Sequence, residues 1–290
     1  MRRMETAQPF ILEEPAAPFG RAVFSSPHSG RAYPHGFVRS ARLGPLALRA
    51  SEDAFVDRLF ACAPAHGAPL LAATAPRAYV DLNRAPEELD PAVVEGVRAT
   101  GLNPRIAAGL GVIPRVVAEG APIYWGKISR EEAARRLSAH HAPYHQALAG
   151  LMQRARAAHG AAVLYDCHSM PSDALRAAPR VRGRRPEIVL GDRFGAAAAE
   201  WATAEAQAAF ETAGFCVARN TPFAGGYITQ RYGRPGQGWH AVQIEIDRSL
   251  YLNEATVEPN AEFEALIAAL RPVIARLSLP AARARPLAAE

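Results

Sequence analysis

"VLYDCHSMPS", residues 163–172, opens as a buried strand and closes on side chains that do chemistry. Val163, Leu164 and Tyr165 are the apolar, β-prone residues that a strand covered on both faces requires. Asp166, Cys167, His168 and Ser169 follow without a break, and Pro171 ends the run. Two readings are open at this point: a strand end with satisfied hydrogen bonds, or a catalytic rim. Strand alternation sets Cys167 on the side opposite Asp166 and His168, which removes the cysteine from any shared site.

Working outward, the chain alternates strand and helix signals. "RAVFSSPHSG" reads as a strand ending near Ser26 and then a loop. "SEDAFVDRLFACA" predicts an amphipathic helix capped by Ser51, with Glu52 and Asp53 in its first turn and Phe55, Val56, Leu59 and Phe60 on its apolar face. "PLLAAT" and "RAYVDLN" predict the next strand or strand pair. Residues 85–126, punctuated by glycine and proline, predict an irregular excursion long enough to be functional. Residues 129–160 predict a helix capped by Ser129, interrupted near Pro143 and closed by Gly160. "EIVLGD", "FCVARN" and "HAVQIEIDRSLY" are further strands. A helix ending at Gly214 separates the first two, and a last helix spans 258–277. The tail from residue 279 is expected to fray.

This alternation predicts one α/β domain over residues 1–290, with a core from about 20 to 275 and a mostly parallel or mixed central sheet. Ligands of such open sheets lie beyond the carboxyl ends of the strands, so the residues after each strand become the candidates.

Bulk properties narrow the class. The chain has 290 residues, 49% of them hydrophobic and 21% charged, which is ordinary for a folded soluble protein. It has neither an apolar run long enough to span a bilayer nor an apolar leader segment, so a cytoplasmic protein without membrane association is expected. Cys62, Cys167 and Cys216 are widely spaced and predict reduced thiols. The net charge of +5 raises the question of a nucleic-acid partner. Nearly all the basic residues are arginine, however, with Lys127 the sole lysine, a pattern that matches a GC-rich genome. The densest patch, residues 176–187, holds five arginines and no aromatic for base stacking, and reads as a solvated loop.

Read in order, the strand ends supply His28, then Asp81, Asn83 and Arg84, then Asp166 and His168, then Glu245. Glu52 and Asp53 join them from the helix start. Two histidines and a carboxylate form the ligand set of a catalytic zinc with one open position, and a further carboxylate nearby can take a proton from water. Arg84 offers a bidentate partner for a substrate carboxylate. Within "AVQIEIDR", alternation puts Gln243, Glu245 and Asp247 on one face. If that face is buried, Glu245 must be paired, metal-linked or of raised pKa; a half-exposed edge strand is the other reading. His141 and His145 stand four apart, but Pro143 lies between them and no third ligand is near, which favours a helix face over a ligand pair. "GGYITQRYGRPGQG" lacks the pattern of a phosphate-binding loop and reads as a substrate-covering or a plain surface loop containing Arg231.

In this order "SSPHSG", "SEDAFVDRLF", "YVDLNR", "YDCHSMPS", "FAGGYITQRYG" and "HAVQIEIDRSLY" resemble the N-formylglutamate amidohydrolase family, over about residues 20–275. The resemblance implies a three-layer α/β/α fold similar to the zinc-dependent exopeptidases (phosphorylase/hydrolase-like). It also implies a zinc-dependent hydrolase, or one using another divalent metal, that removes formyl from a small acidic N-acyl amino acid in amino-acid catabolism, specifically histidine degradation. It implies His28 and His168 as metal ligands, with Asp53 rather than Glu52 as the third. Glu245 is implied as general base, and Asn83, Arg84 and Arg231 as substrate-binding residues. Asp166 is placed to fix the His168 tautomer, with a structural strand-end role as its alternative. The alternatives for the whole chain are a zinc hydrolase of another N-acyl amino acid or peptide amide, and a non-catalytic, arginine-rich nucleic-acid-binding protein.

Overall fold

The structure is a computed structural model describing residues 8–16, 19–98, 101–176 and 178–279. The tail expected to fray lies outside these residues beyond Leu279. Seven strands form one sheet: β1 (Phe10–Glu13), β2 (Ala22–Ser26), β3 (Leu70–Ala73), β4 (Ala162–Met170), β5 (Ile188–Gly191), β6 (Val217–Arg219) and β7 (Trp239–Asp247). Their order is β1-β3-β2-β4-β7-β5-β6. β3, β2, β4 and β7 are mutually parallel. β1 runs antiparallel to β3, and β5 antiparallel to β7, which makes the sheet mixed.

Alternation sorts the central strands onto two cores. Ala22 and Phe24 of β2, Val163, Tyr165 and Cys167 of β4, and Val242, Ile244 and Ile246 of β7 face the helices Val56–Leu59, Glu200–Thr212 and Phe263–Ser278. Val23, Leu164 and Ala241 face the opposite way, toward the helix Ala142–His159 and the 75–133 region. The result is a sheet between two helical layers. The second face changes character along its length. Beyond Leu164 and Ala241 it carries Asp166 and His168 on β4, paired across with Gln243 and Glu245 on β7. β7 lies between β4 and β5 and is therefore an interior strand, so Glu245 is buried at 7% exposure rather than half-exposed at an edge.

Two expected elements are corrected. The helix predicted from Ser51 does not begin there: Arg49–Ser51 is a 3₁₀ turn, Glu52 is extended, and the helix covers only Val56–Leu59. The Asp53 N–H donates to the His28 carbonyl at 3.1 Å, and Phe55 sits at φ 63°, so the backbone is tied to the loop after β2 before it can coil. "RAYVDLN" is a series of turns rather than a strand, started by Pro76, whose carbonyl accepts from Tyr79 and Val80. The long helix is capped by Ser129 Oγ, which accepts from the Glu132 N–H at 3.2 Å, and ends at Gly160 with φ 75°. Its interruption is a π turn over Leu137–His141, just ahead of Pro143, whose missing N–H removes one helical hydrogen bond. Among the described residues no helix is long and apolar enough to cross a membrane.

Candidate metal centre and cleft

Topology explains where the polar residues gather. From β2 the chain adds β3 on one side and then crosses to place β4 on the other. The carboxyl ends of β2 and β4 therefore flank a switch point, the place where open α/β sheets leave a crevice. His28 comes from the loop after β2 and His168 from the end of β4, and their rings stand 4.8 Å apart. Gly30 is required in that first loop, because a Cβ there would fall 2.1 Å from the Ala75 carbonyl oxygen.

Asp53 completes the cluster. Its Oδ2 lies 3.3 Å from His28 Nδ1 and 2.9 Å from His168 Nδ1, while Oδ1 accepts from Arg248 Nη2 at 2.9 Å. Each imidazole turns its other nitrogen to a carboxylate. His28 Nε2 reaches Asp81 Oδ1 at 2.7 Å, and His168 Nε2 reaches Asp166 Oδ2 at 2.9 Å. Asp81 is itself held by the Asn83 N–H and by Arg77 Nε. Glu52 points elsewhere, accepting from the Tyr33 hydroxyl at 2.6 Å and from Arg49. Of the two neighbouring acids only Asp53 enters the cluster.

The donor set suits a divalent cation. One atom each from His28, Asp53 and His168 lies within 4.8 Å of the others, and all three residues are buried. Tetrahedral ligands around zinc stand about 3.3 Å apart for bonds near 2.0–2.1 Å, close to the 3.3 and 2.9 Å that separate Asp53 Oδ2 from the two imidazoles. The outer carboxylates Asp81 and Asp166 would fix both histidines with Nδ1 turned inward, the usual outer arrangement of a ligating histidine.

The electrostatics are those of a concentrated acidic site. Burial would push the Asp53 carboxyl up, but hydrogen bonds from His168 and His28 outweigh it and hold the group well below the carboxylate range. Burial likewise opposes charge on His168, yet Asp166, Asp53 and Glu245 together raise its pKa well above normal. Glu245 is different: burial, with Asp53 adding to it against the pull of His168, Arg77 and Arg248, pushes its pKa up to about 7. A carboxyl poised there can both accept and return a proton near neutrality.

A cavity of about 560 Å³ opens over the cluster and reaches Arg77, Arg84, Arg105 and Arg248. Arg84 is 8% exposed and donates to two backbone carbonyls, those of Leu110 and Asn83. It has no carboxylate within ion-pair distance among the described residues. Asn83 lines the same cavity, but its amide is engaged: Oδ1 accepts from the Ile228 N–H at 2.7 Å, and Nδ2 lies 3.2 Å from His168 Nε2 and 3.5 Å from Asp166 Oδ2.

Arg231 is not brought to this cleft. It projects from the short helix Tyr227–Tyr232 into a separate groove, where Nη1 donates to the Tyr227 hydroxyl at 2.7 Å. That groove also exposes the edges of His141 and His145, which instead serve the backbone: His141 Nε2 donates to the Arg84 carbonyl and His145 Nε2 to the Leu82 carbonyl, both at 2.9 Å. The arginine-rich loop is largely neutralised, with Arg176, Arg184 and Arg185 paired to Asp173, Glu187 and Asp247.

Sequence reasoning passed over Arg77, Arg105, Gln243 and Arg248. Arg77 and Arg248 carried a usable signal: the first stands four residues before Asp81, and the second directly follows the acidic end of β7.

Four similarities bear on this site. The family model for N-formylglutamate amidohydrolase matches residues 20–252. N-formylglutamate deformylase of Pseudomonas aeruginosa is 34% identical over 263 residues, covering 88% of this chain and 90% of the relative. The Pseudomonas putida protein of the same name is 31% identical over 240 residues, covering 80% and 82%. A crystal structure of N-formylglutamate amidohydrolase from Ralstonia eutropha superposes with a TM-score of 0.87 at 36% identity, covering 94% of this chain and 98% of that one.

Proposed function

From the premise that this chain belongs to the N-formylglutamate amidohydrolase family, we propose that it hydrolyses N-formyl-L-glutamate to formate and glutamate, using a divalent cation, zinc first among candidates. His28 Nδ1, His168 Nδ1 and Asp53 Oδ2 would hold the cation. The observation that carries this reading is their convergence, each histidine backed by its own carboxylate, beside a glutamate whose pKa is about 7.

A cation held there supplies Lewis acidity to the acyl carbonyl and lowers the pKa of water to about 7. Glu245, directly across from His168 in the β4–β7 pairing, takes a proton from the attacking water as its oxygen bonds to the formyl carbon. The same carboxyl returns that proton to the departing nitrogen as the C–N bond breaks, releasing formate and the free amine. Arg84 supplies positive charge for a substrate carboxylate. Arg248 holds the far oxygen of Asp53 and so orients the third ligand.

Glu245→Gln tests the assignment. Turnover should fall about 10²–10⁴-fold while bound zinc stays near one per chain. Normal kcat in that variant overturns the base assignment. Chelation of the wild-type protein should abolish activity, and added zinc should restore it. The second reading, another N-acyl amino acid as substrate, rests on the roominess of the cavity. A panel of N-formyl and N-acetyl amino acids discriminates it.

A further inference from the structure

Resting on Glu245 as the base, we propose that Gln243 is a positioning residue that aims the Glu245 carboxylate, and that the glycine turn at 226–228 fixes it in one amide orientation. The geometry leaves the amide little choice. The Gly226 N–H donates to Gln243 Oε1 at 2.9 Å, so the oxygen end of the carboxamide is claimed by a backbone donor. The NH₂ end must then face the other way, where Nε2 donates to Glu245 Oε1 at 2.8 Å. Both residues are buried on the same face of β7, at 4% and 7% exposure. Gln243 gives Glu245 its only side-chain hydrogen bond among the described residues. That bond commits Oε1 and leaves Oε2 as the oxygen that meets water.

The same turn repeats the device two residues later. The Ile228 N–H claims Asn83 Oδ1 and thereby turns Asn83 Nδ2 toward the His168–Asp166 contact, 3.2 Å from His168 Nε2 and 3.5 Å from Asp166 Oδ2. The turn must press this close: a Cβ on Gly226 would lie 2.5 Å from the Asn83 amide atoms. One stretch of backbone thus orients two carboxamides. One serves the base and the other serves a proposed ligand and its carboxylate partner.

The test is a double-mutant comparison on the zinc-loaded protein with N-formyl-L-glutamate. Gln243→Leu and Gln243→Glu are made alone and in the Glu245→Gln background, and kcat, KM, bound zinc and Tm are measured. Each single variant should lose about 10–100-fold in kcat, the cost of a misaimed catalytic group, with KM within about two-fold and zinc and Tm near wild type. In the Glu245→Gln background the further loss should shrink to less than about two-fold, because a residue acting through the base has nothing left to act on. Wild-type kcat in both single variants overturns the proposal, as does an undiminished loss in the Glu245→Gln background. If the leucine variant does not fold, the glutamate variant carries the test, since it is isosteric and still accepts from Gly226. Full turnover by Glu245→Gln alone removes the base and the proposal together, and is seen separately from either outcome above.

Discussion

The molecule holds two close pairs of buried histidines, and they differ in everything but proximity. The rings of His28 and His168 stand 4.8 Å apart, and those of His141 and His145 stand 4.4 Å apart. In the first pair every ring nitrogen faces a carboxylate oxygen. In the second the partners are backbone carbonyls and the Tyr232 hydroxyl, and burial, with His141 alongside, pushes the His145 pKa down to about 3. The first pair is built to face positive charge and the second to stay neutral. Histidine spacing does not distinguish a cation site from a structural pin; the acceptors around the rings do.

Three measurements can break or sharpen this contrast. His168→Ala should lose bound zinc and activity together, whereas His145→Ala should keep zinc near one per chain. Full zinc in the first variant, or metal loss in the second, would collapse the distinction. Asp166→Asn keeps every first-rank ligand yet removes the carboxylate behind His168, and should weaken zinc affinity about 10–100-fold. Unchanged affinity in a chelator competition would leave Asp166 as a strand-end residue only.

The smallest effect concerns acid stability. His145 is neutral in the fold, with its pKa depressed from about 6.5 in an unfolded chain. Its contribution to stability is therefore complete above pH 6.5 and is lost as pH falls toward 3, because the unfolded chain binds the proton first. The slope approaches about 1.4 kcal/mol per pH unit for one proton. Denaturant melts of His145→Gln between pH 6.5 and 4 should show a shallower acid loss than wild type. Parallel curves would mean that His145 is not held neutral.

Much of this was legible in the chain because strands announce themselves by period and composition. β4 and β7 follow directly from "AVLYDCHS" and "AVQIEID", and with them the facing of His168 and Glu245. Local pattern failed where long-range ties override it. Ser51 has the chemistry of a helix cap, but Glu52 is extended and the Asp53 N–H is tied to the His28 carbonyl, which delays the helix to Val56. "YVDLN" has strand propensity, yet Pro76 and the Asp81 side chain fold it into turns. The family resemblance implies Arg231 and Asn83 as substrate contacts. Their surroundings are set by tertiary structure: Arg231 projects from the helix Tyr227–Tyr232 into another groove, and Asn83 lines the cleft while clamped between two elements remote in sequence. For Gln243 alternation gives only the face it shares with Glu245; its role emerges once its neighbours are known.

The in-step pairing of β4 and β7 has a consequence for how this gene can change. Asp166 sits opposite Gln243, and His168 opposite Glu245, all turned to one face. Deleting a single residue within either strand would shift the pairing by one and exchange faces, placing Ile244 or Cys167 in the cleft and a carboxylate in the apolar core. Length variation should therefore be tolerated in the loops between these strands and barred within them. A deletion scan across residues 160–170 and 239–247 would map active-site loss ahead of any loss of expression at the polar ends.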